Sequence, residues 1–323
     1  MADFFNFVFS SRYGKAVGMT QHPASNDHAA PKSYRPAATF AGFGAIALWS
    51  SLALLTTLTG KIPPFQLAAM TFLVGSLVGF STWLFRPQDV MSMARTLIQP
   101  WPVWLVGVGG LYGYHALYFA ALQLAPPAEA GLVNYLWPLL IVIGSGLLPG
   151  QHLRLSSIMG GLLGFAGVAV LIFARDGLSI DPHSVPGYLC ALAAAVAWAA
   201  YSLLSSRFGD VPTDAVTGFC LVTALLAALS HLMFETTVWP QHGIEWLAII
   251  GLGVGPVGAA FYLWDYGMKA GDIRAIGFAS YATPVMSTLL LVLAGKAELG
   301  WVLALSCGLI AGGAMLARLS KQS

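Results

Sequence analysis

The hexapeptide NYLWPL at residues 134–139 recurs later in the chain as SYATPV at residues 280–285. The alignment matches two pairs of residues that stand 146 positions apart, Tyr135 with Tyr281 and Pro138 with Pro284. Two other pairs of segments recur at offsets of 147 and 149 positions, Gly161-Leu-Leu-Gly with Gly308-Leu-Ile-Ala and Ala47-Leu-Trp with Val196-Ala-Trp. A nearly constant offset predicts that the chain contains two copies of one structural unit.

The composition indicates which solvent these copies occupy. Of the 323 residues, 57% are hydrophobic and 9% are charged, whereas about 25% are charged in an ordinary globular domain. So few charges exclude a disordered chain and a cytosolic enzyme, and they indicate a membrane protein. The net charge of +2 and the scattered basic residues give no reason to expect a nucleic-acid partner. The three cysteines lack the spacing of metal ligands, so no metal site is expected.

Apolar segments of about 20 residues, each long enough for one membrane-spanning helix, recur after a polar N-terminal stretch. Residues 1–36 are predicted to form a mobile cytoplasmic tail. We predict ten spans, at residues 37–58, 64–85, 101–124, 128–148, 155–174, 186–205, 215–234, 246–268, 273–294 and 299–318. Because five spans per copy is an odd number, the second copy would be inverted relative to the first. The predicted fold is an all-α membrane protein of two inverted five-helix repeats, residues 37–174 and 186–319.

Lysine and arginine residues predict the orientation in the membrane. With the tail on the cytoplasmic side, the loops on that side and the two terminal segments carry twelve of these residues, and the opposite loops carry three. Cytoplasmic loops of membrane proteins are enriched in lysine and arginine. Both termini are therefore predicted to be cytoplasmic, which agrees with an even number of spans.

Three tryptophans, Trp49, Trp137 and Trp198, fall near the centres of predicted spans. The other seven, Trp264 among them, fall near span ends, where an indole ring commonly meets the membrane surface. An indole N–H at mid-membrane needs a partner that lipid cannot supply, so the three central rings are predicted to face a polar cavity. The alternative is that they only pack between helices.

The third predicted span places Tyr114, His115 and Tyr118 on one helical face. His115 is the titratable side chain near mid-depth, and such a residue in a membrane span usually marks a functional site. A hydrogen-bonded structural histidine is the alternative. The sequence has no acidic residue near the centre of a predicted span and no catalytic motif. A carboxylate proton relay, a sodium site and enzymatic activity are therefore not predicted.

Prolines are also predicted to shape the cavity. Each mid-span proline deprives the carbonyl four residues earlier of its helical partner, and the freed carbonyl can accept from an amino group. The proline and carbonyl pairs are Pro138 with Asn134, Pro256 with Leu252, and Pro284 with Ser280. A plain kink at each proline is equally compatible with the sequence. Tyr135 and Trp137 would lie about 160° apart on a straight helix, so both reach one cavity only if Pro138 breaks it.

Small residues predict where helices approach each other closely. In the fifth and tenth spans, Gly160 with Gly164 and Gly308 with Gly312 are spaced four residues apart on one helical face. We expect each pair to pack closely on a neighbouring helix.

Over residues 37–319 these features resemble the drug/metabolite transporter superfamily, whose ten-helix members are tandem EamA-type repeats. The shared features are the paired prolines and the glycine-rich fifth and tenth spans. The segments GYHALYFAAL from residue 113 and PPAEAGLVNYLWPL from residue 126 are similar to those of bacterial aromatic amino acid exporters. This resemblance implies that six residues line a central cavity: Tyr114, His115, Tyr118, Tyr135, Trp137 and Trp198.

The predicted substrate site comprises these six residues with Trp49 and Tyr281, and Pro138 and Pro284 are predicted to act in gating. Ring faces, hydroxyls and freed carbonyls suit a neutral substrate. The predicted function is export of aromatic and other neutral amino acids across a bacterial inner membrane, by alternating access and facilitated diffusion. The alternatives are a proton-coupled exporter of cationic drugs or other metabolites, and a membrane enzyme or scaffold that transports nothing. The expected partners are a small-molecule substrate and membrane lipid; no cofactor, metal, nucleic acid or obligate protein partner is expected.

The orientation predicts which loops a membrane-impermeant thiol reagent reaches. In a variant without Cys190, Cys220 and Cys307, Asp181→Cys should react from outside, because residue 181 lies in a loop predicted to be external. Ser92→Cys should react only after the membrane is permeabilised. Labelling measured in whole cells in the reverse pattern would overturn the predicted orientation.

Overall fold

The computed structural model describes residues 34–84, 96–148, 153–176, 182–296 and 300–319. All but the last three residues of the predicted tail, and positions 92 and 181, lie outside the described residues. The described residues contain no strand and form ten long helices. These are α1 Pro36–Thr56, α2 Pro64–Trp83, α3 Trp101–Leu124, α4 Pro127–Ser145, α5 Leu155–Ala174, α6 Pro182–Ser205, α7 Thr213–Phe234, α8 Gly243–Ala270, α9 Ile273–Leu293 and α10 Trp301–Ala317.

The prediction of a multi-span helical membrane protein is confirmed in its main feature. In the part of the chain that the structure describes, nine of the helices are long and apolar enough to cross a bilayer, and α10 is a shorter apolar helix. Large apolar side chains such as Leu77, Leu229 and Leu293 are exposed on the outside of the helices. An apolar outer surface of this kind is typical of a protein surrounded by lipid.

Local sequence explains where several helices begin. Helices α1, α2 and α4 start at proline, whose missing amide hydrogen is not needed in a first helical turn. The Asp272 carboxylate caps α9 by accepting from the amide of Ala275 at 3.1 Å. The start of α2 is capped by a residue that is distant in the sequence. The Glu235 carboxylate accepts from the amides of Phe65 and Gln66 at 2.9 and 3.0 Å. These contacts satisfy amides that lipid could not.

The helices pair across the two halves of the chain. Helix α1 packs on α8, α2 on α7, α3 on α6 and α5 on α10, while α4 packs mainly on α6 and also on α9. Every helix of the first half therefore has a main partner in the second half. The buried core lies between the halves and includes side chains from both.

Four helices contain a π turn or a two-residue interruption. Helices α3 and α8 each contain one turn of π-helix, at Gly109–Gly113 and Gly255–Ala259. Helices α4 and α9 are interrupted, at Tyr135–Leu136 and at Ser280–Tyr281. Pro256 thus lies in a widened turn of its helix, where the sequence predicted a freed carbonyl or a plain kink. The π turn of α3 contains no proline and was not predicted.

The glycine contact between α5 and α10 differs from the predicted one. A Cβ atom placed on Gly313 would lie 2.5 Å from the Gly160 carbonyl oxygen, so the two backbones are in contact. Gly308 has no atom near such a Cβ, and Gly312 meets only the Leu163 side chain at 3.5 Å. The expectation for Gly308 is therefore wrong, because α10 faces α5 with Ser306, Ile310 and Gly313, and Gly308 lies on another face of the helix.

Gly313→Ala should destabilise the protein by about 1 to 3 kcal/mol, because the added methyl group would push two backbones apart. Gly308→Ala is the matched control on the same helix, since its methyl group would meet open space. Thermal unfolding in detergent should give a lower midpoint for Gly313→Ala alone. Equal midpoints for the two variants would contradict the observed crossing.

Candidate functional site

A cavity of about 320 Å³ lies between the two halves of the chain. Seven of the eight predicted site residues line it: Trp49, Tyr114, His115, Tyr118, Tyr135, Trp137 and Trp198. The lining also includes Asn134, Phe261, Thr283 and Ser287, which were not in the predicted site. Among the described residues that line the cavity, none is Asp, Glu, Lys or Arg. The cavity is therefore aromatic and carries no fixed charge.

The interruption of α4 brings Tyr135 and Trp137 to the same cavity. The first segment of the helix ends at Asn134, and a new segment begins at Trp137 with Pro138 in its first turn. Tyr135 has a ψ angle of 4°, outside the helical range, which turns the chain between the two segments. Both side chains consequently line the cavity. A straight helix would have placed them on different faces.

Four tryptophans, which we call the tryptophan cluster, form one side of the site: Trp49, Trp137, Trp198 and Trp264. The ring centroid of Trp49 lies 5.5 Å from that of Trp198 and 4.9 Å from that of Trp264. The Trp49 indole donates to the Pro256 carbonyl at 2.9 Å. Its polar atom thus bonds to the irregular backbone of α8.

The prediction for Trp264 is wrong. It was expected near a span end at the membrane surface, but it is fully buried within the tryptophan cluster. Its indole N–H donates to the Ser202 hydroxyl at 3.1 Å, so it needs no water. Helix α8 is 28 residues long, and its last turns are still covered by neighbouring helices.

The aromatic face of α3 adjoins the tryptophan cluster, since the ring centroids of Tyr114 and Trp198 are 5.4 Å apart. The rings of Tyr114 and Tyr118 stack with centroids 6.0 Å apart, and His115 contacts the edge of Phe72. The His115 Nδ1 atom lies 2.6 Å from the Leu111 carbonyl oxygen. A carbonyl only accepts, so Nδ1 carries the proton and donates. In the neutral ring Nε2 is then an acceptor.

Two polar side chains in the cavity wall have buried atoms without a partner. The Asn134 amide donates from Nδ2 to the Tyr114 hydroxyl at 3.0 Å. Its Oδ1 atom is buried and accepts from no atom of the described residues. The Thr283 hydroxyl is likewise buried and unpaired within that part of the chain. The cavity therefore offers hydrogen-bonding groups that the protein itself does not use.

Tyr281 and the two paired prolines lie outside the cavity lining. Tyr281 is buried among Leu139 and Val168, against Gly164 of α5. The interruption at Ser280–Tyr281 turns this side chain toward α5. Pro138 and Pro284 begin the second segments of α4 and α9, where each follows an interruption by two or three residues.

Directly after Trp264, a buried ion pair holds the end of α8. Lys269 Nζ lies 2.7 Å from Asp265 Oδ2, and it also donates to the Val211 carbonyl at 2.9 Å. The Thr213 hydroxyl donates to the same carboxylate oxygen at 2.8 Å. The sequence placed Asp265 correctly near a span end, but it gave no sign that the carboxylate is buried. This network joins α8 to the segment before α7.

Lys269→Met should destabilise the protein by about 3 kcal/mol, because it leaves a buried carboxylate without its cation. The double variant Asp265→Leu with Lys269→Met should recover much of the loss. Lys296→Met serves as the control, since Lys296 is exposed. Thermal unfolding in detergent gives the comparison, and a Lys269→Met midpoint equal to that of the control would contradict the burial of this pair.

Comparison with known proteins gives a consistent set of relatives. The EamA-like transporter family model matches residues 36–173 and 185–319. The aromatic amino acid exporter YddG of Ancylobacter novellus is 57% identical over 286 residues, covering 88% of this chain and 98% of the relative. The protein of the same name from Escherichia coli is 26% identical, covering 89% of this chain and 99% of the relative. A crystal structure with 56% sequence identity superposes with a TM-score of 0.85 over 90% of this chain and all of that chain.

Proposed function

Because this chain belongs to the EamA-like transporter family, we propose that it exports aromatic and other neutral amino acids across a bacterial inner membrane. The observation that carries the proposal is the uncharged cavity of about 320 Å³, walled by aromatic rings between the two halves of the chain. The relative from Ancylobacter novellus, named an aromatic amino acid exporter, supports this substrate class. The protein is a multi-pass membrane protein, as its helices and its family indicate.

The size and charge of the cavity favour an amino acid over a cationic drug. Ligand cavities range from about 300 to 1,000 Å³, and this one is near the lower limit. The described lining residues also include no carboxylate that would neutralise the net charge of a cationic drug. Aromatic faces, by contrast, stack well on an aromatic side chain of the substrate.

The pairing of helices supports alternating access by two inverted repeats, residues 37–174 and 186–319, and the lysine and arginine asymmetry of the loops supports cytoplasmic termini. The same packing occurs twice. Helix α1 of the first half packs on α8 of the second half, and the corresponding helices of the other halves, α6 and α3, also pack on each other. The π turns of α3 and α8 begin 146 positions apart, which equals the offset between Pro138 and Pro284. Each half thus repeats the same irregular backbone around the cavity.

The driving force that we propose is the concentration difference of the substrate. Charging His115 at mid-depth would be opposed by desolvation, and no carboxylate lines the described cavity to compensate it. Phe72 and Phe261 also contact the histidine ring, which adds to its apolar surroundings. A neutral His115 suits a hydrogen-bonding role.

Trp137→Ala should lower transport of an aromatic amino acid by about tenfold or more, since stacking and lost burial amount to about 1.5 to 3 kcal/mol. The assay is flux of radiolabelled phenylalanine in vesicles that contain the purified protein. Trp239→Ala is the control, because that ring is exposed at the surface. A well-folded Trp137→Ala variant with wild-type flux would remove Trp137 from the site, whereas wild-type vesicles without flux would favour an enzyme or scaffold.

Wild-type transport should proceed in vesicles whose proton gradient has been collapsed. His115→Gln, which keeps some hydrogen bonding, should retain more flux than His115→Leu at matched protein levels. If collapse abolishes uphill movement that a gradient had driven, and both variants lose that coupling equally, His115 carries a proton and facilitated diffusion is wrong.

A further inference from the structure

We propose that Asn134, Thr283 and the Tyr114 hydroxyl form a polar subsite for the head group of an α-amino acid. Asn134 and Thr283 accept hydrogen bonds from the α-ammonium group, and Tyr114 donates to the α-carboxylate. This inference rests on the proposed function. It assigns a binding site to the polar end of the proposed substrate, whose aromatic ring faces the tryptophan cluster.

The first support is the burial of two polar groups without partners. The Asn134 Oδ1 and Thr283 Oγ1 atoms are each buried and unpaired among the described residues, and both side chains line the same cavity. Folded proteins pair nearly all buried polar atoms, because an unpaired one loses its bonds to water. Two such atoms on residues of one cavity wall point to a ligand that bonds to them.

The second support is the direction of the hydrogen bonds. Asn134 uses its Nδ2 donor on the Tyr114 oxygen, so the free atom of its amide is an acceptor. Tyr114 accepts this bond, so its own hydroxyl proton is available to another group, and the described residues provide no acceptor for it. One side of the subsite therefore accepts and the other donates. An ammonium group and a carboxylate, linked through one carbon, require this combination.

The third support is the position of these groups in the backbone. Asn134 is the last residue before the interruption of α4, and Thr283 is the second residue after that of α9. Pro138 has no amide hydrogen, so the Asn134 carbonyl also lacks its usual helical partner. Helix ends that face a cavity supply oriented polar groups for a substrate in several transporter folds. Both interruptions thus bring polar groups to the cavity wall.

The subsite assigns different tasks to the two ends of the substrate. The polar subsite selects a zwitterion, because it offers hydrogen-bonding groups to both the ammonium and the carboxylate of the substrate and has no formal charge of its own. The aromatic walls accept an uncharged side chain. Amines without a carboxylate and carboxylates without an amine should both bind more weakly than the amino acid.

The chain provides matched controls for two of the three residues. Thr223 also has a buried, unpaired hydroxyl within the described residues, but it does not line the cavity. Tyr281 has a buried, unpaired hydroxyl as well and is likewise outside the lining. Thr283→Val and Thr223→Val therefore make the same chemical change inside and outside the site, as do Tyr114→Phe and Tyr281→Phe.

The experiment measures inhibition of radiolabelled phenylalanine flux in vesicles by three competitors. These are unlabelled phenylalanine, 3-phenylpropanoate, which lacks the ammonium group, and phenethylamine, which lacks the carboxylate. With the wild type, phenylalanine should compete at least about tenfold better than either analogue, because each analogue leaves a polar group unpaired. Thr283→Val and Asn134→Leu should reduce the advantage over 3-phenylpropanoate, and Tyr114→Phe should reduce the advantage over phenethylamine.

The controls separate the outcomes. Thr223→Val and Tyr281→Phe should leave both ratios at the wild-type value. If Thr283→Val gives the same ratios as Thr223→Val while the wild type transports phenylalanine, the subsite is wrong and the proposed function stands. If the wild type transports no phenylalanine, the proposed function itself fails. Should Asn134→Leu not fold, Thr283→Val and Tyr114→Phe still decide the result.

Discussion

The hydrogen bond from the Trp49 indole to the Pro256 carbonyl joins the two halves of the chain at the wall of the cavity. Pro256 lies in a π turn, and lipid cannot donate a hydrogen bond to a carbonyl at this depth. The indole supplies the donor, and the same bond fixes the ring that contacts Trp137 and Trp198. The position of the aromatic wall thus depends on an irregular turn in a helix from the other half of the chain.

The same requirement explains why these irregular turns lie beside the cavity or between packed helices. Inside a bilayer, main-chain groups facing lipid must be paired within the helix, so a π turn or an interruption is tolerated only where protein or a cavity adjoins it. The π turn of α3 contains Leu111, whose carbonyl accepts from His115, and it leads directly into Tyr114. The interruption of α4 separates Tyr135 from Trp137 and gives both side chains access to the cavity. The irregular turns of α3 and α4 therefore position the side chains that form the site.

Much of this arrangement could be predicted from the sequence, because hydropathy and proline spacing are local properties. The central positions of Trp49 and Trp137 identified the cavity wall, and Pro138 predicted the interruption beside it. Trp264 could not be placed, since its distance from a span end says nothing about which helices cover that end. The orientation of Tyr281 depends on how the chain turns after Ser280, and the contact of Gly313 depends on where two helices cross. Both follow from tertiary packing, which a single sequence does not contain.

The lack of fixed charge in the cavity has an electrical consequence. A membrane voltage acts on charge that moves through it, at about 2.3 kcal/mol per elementary charge for each 100 mV. The described lining residues include no formal charge, and the buried Asp265 and Lys269 compensate each other. A zwitterionic amino acid adds no net charge when it binds. The field across the membrane therefore does no net work on the cavity, empty or loaded, which is the condition that the facilitated diffusion we propose requires.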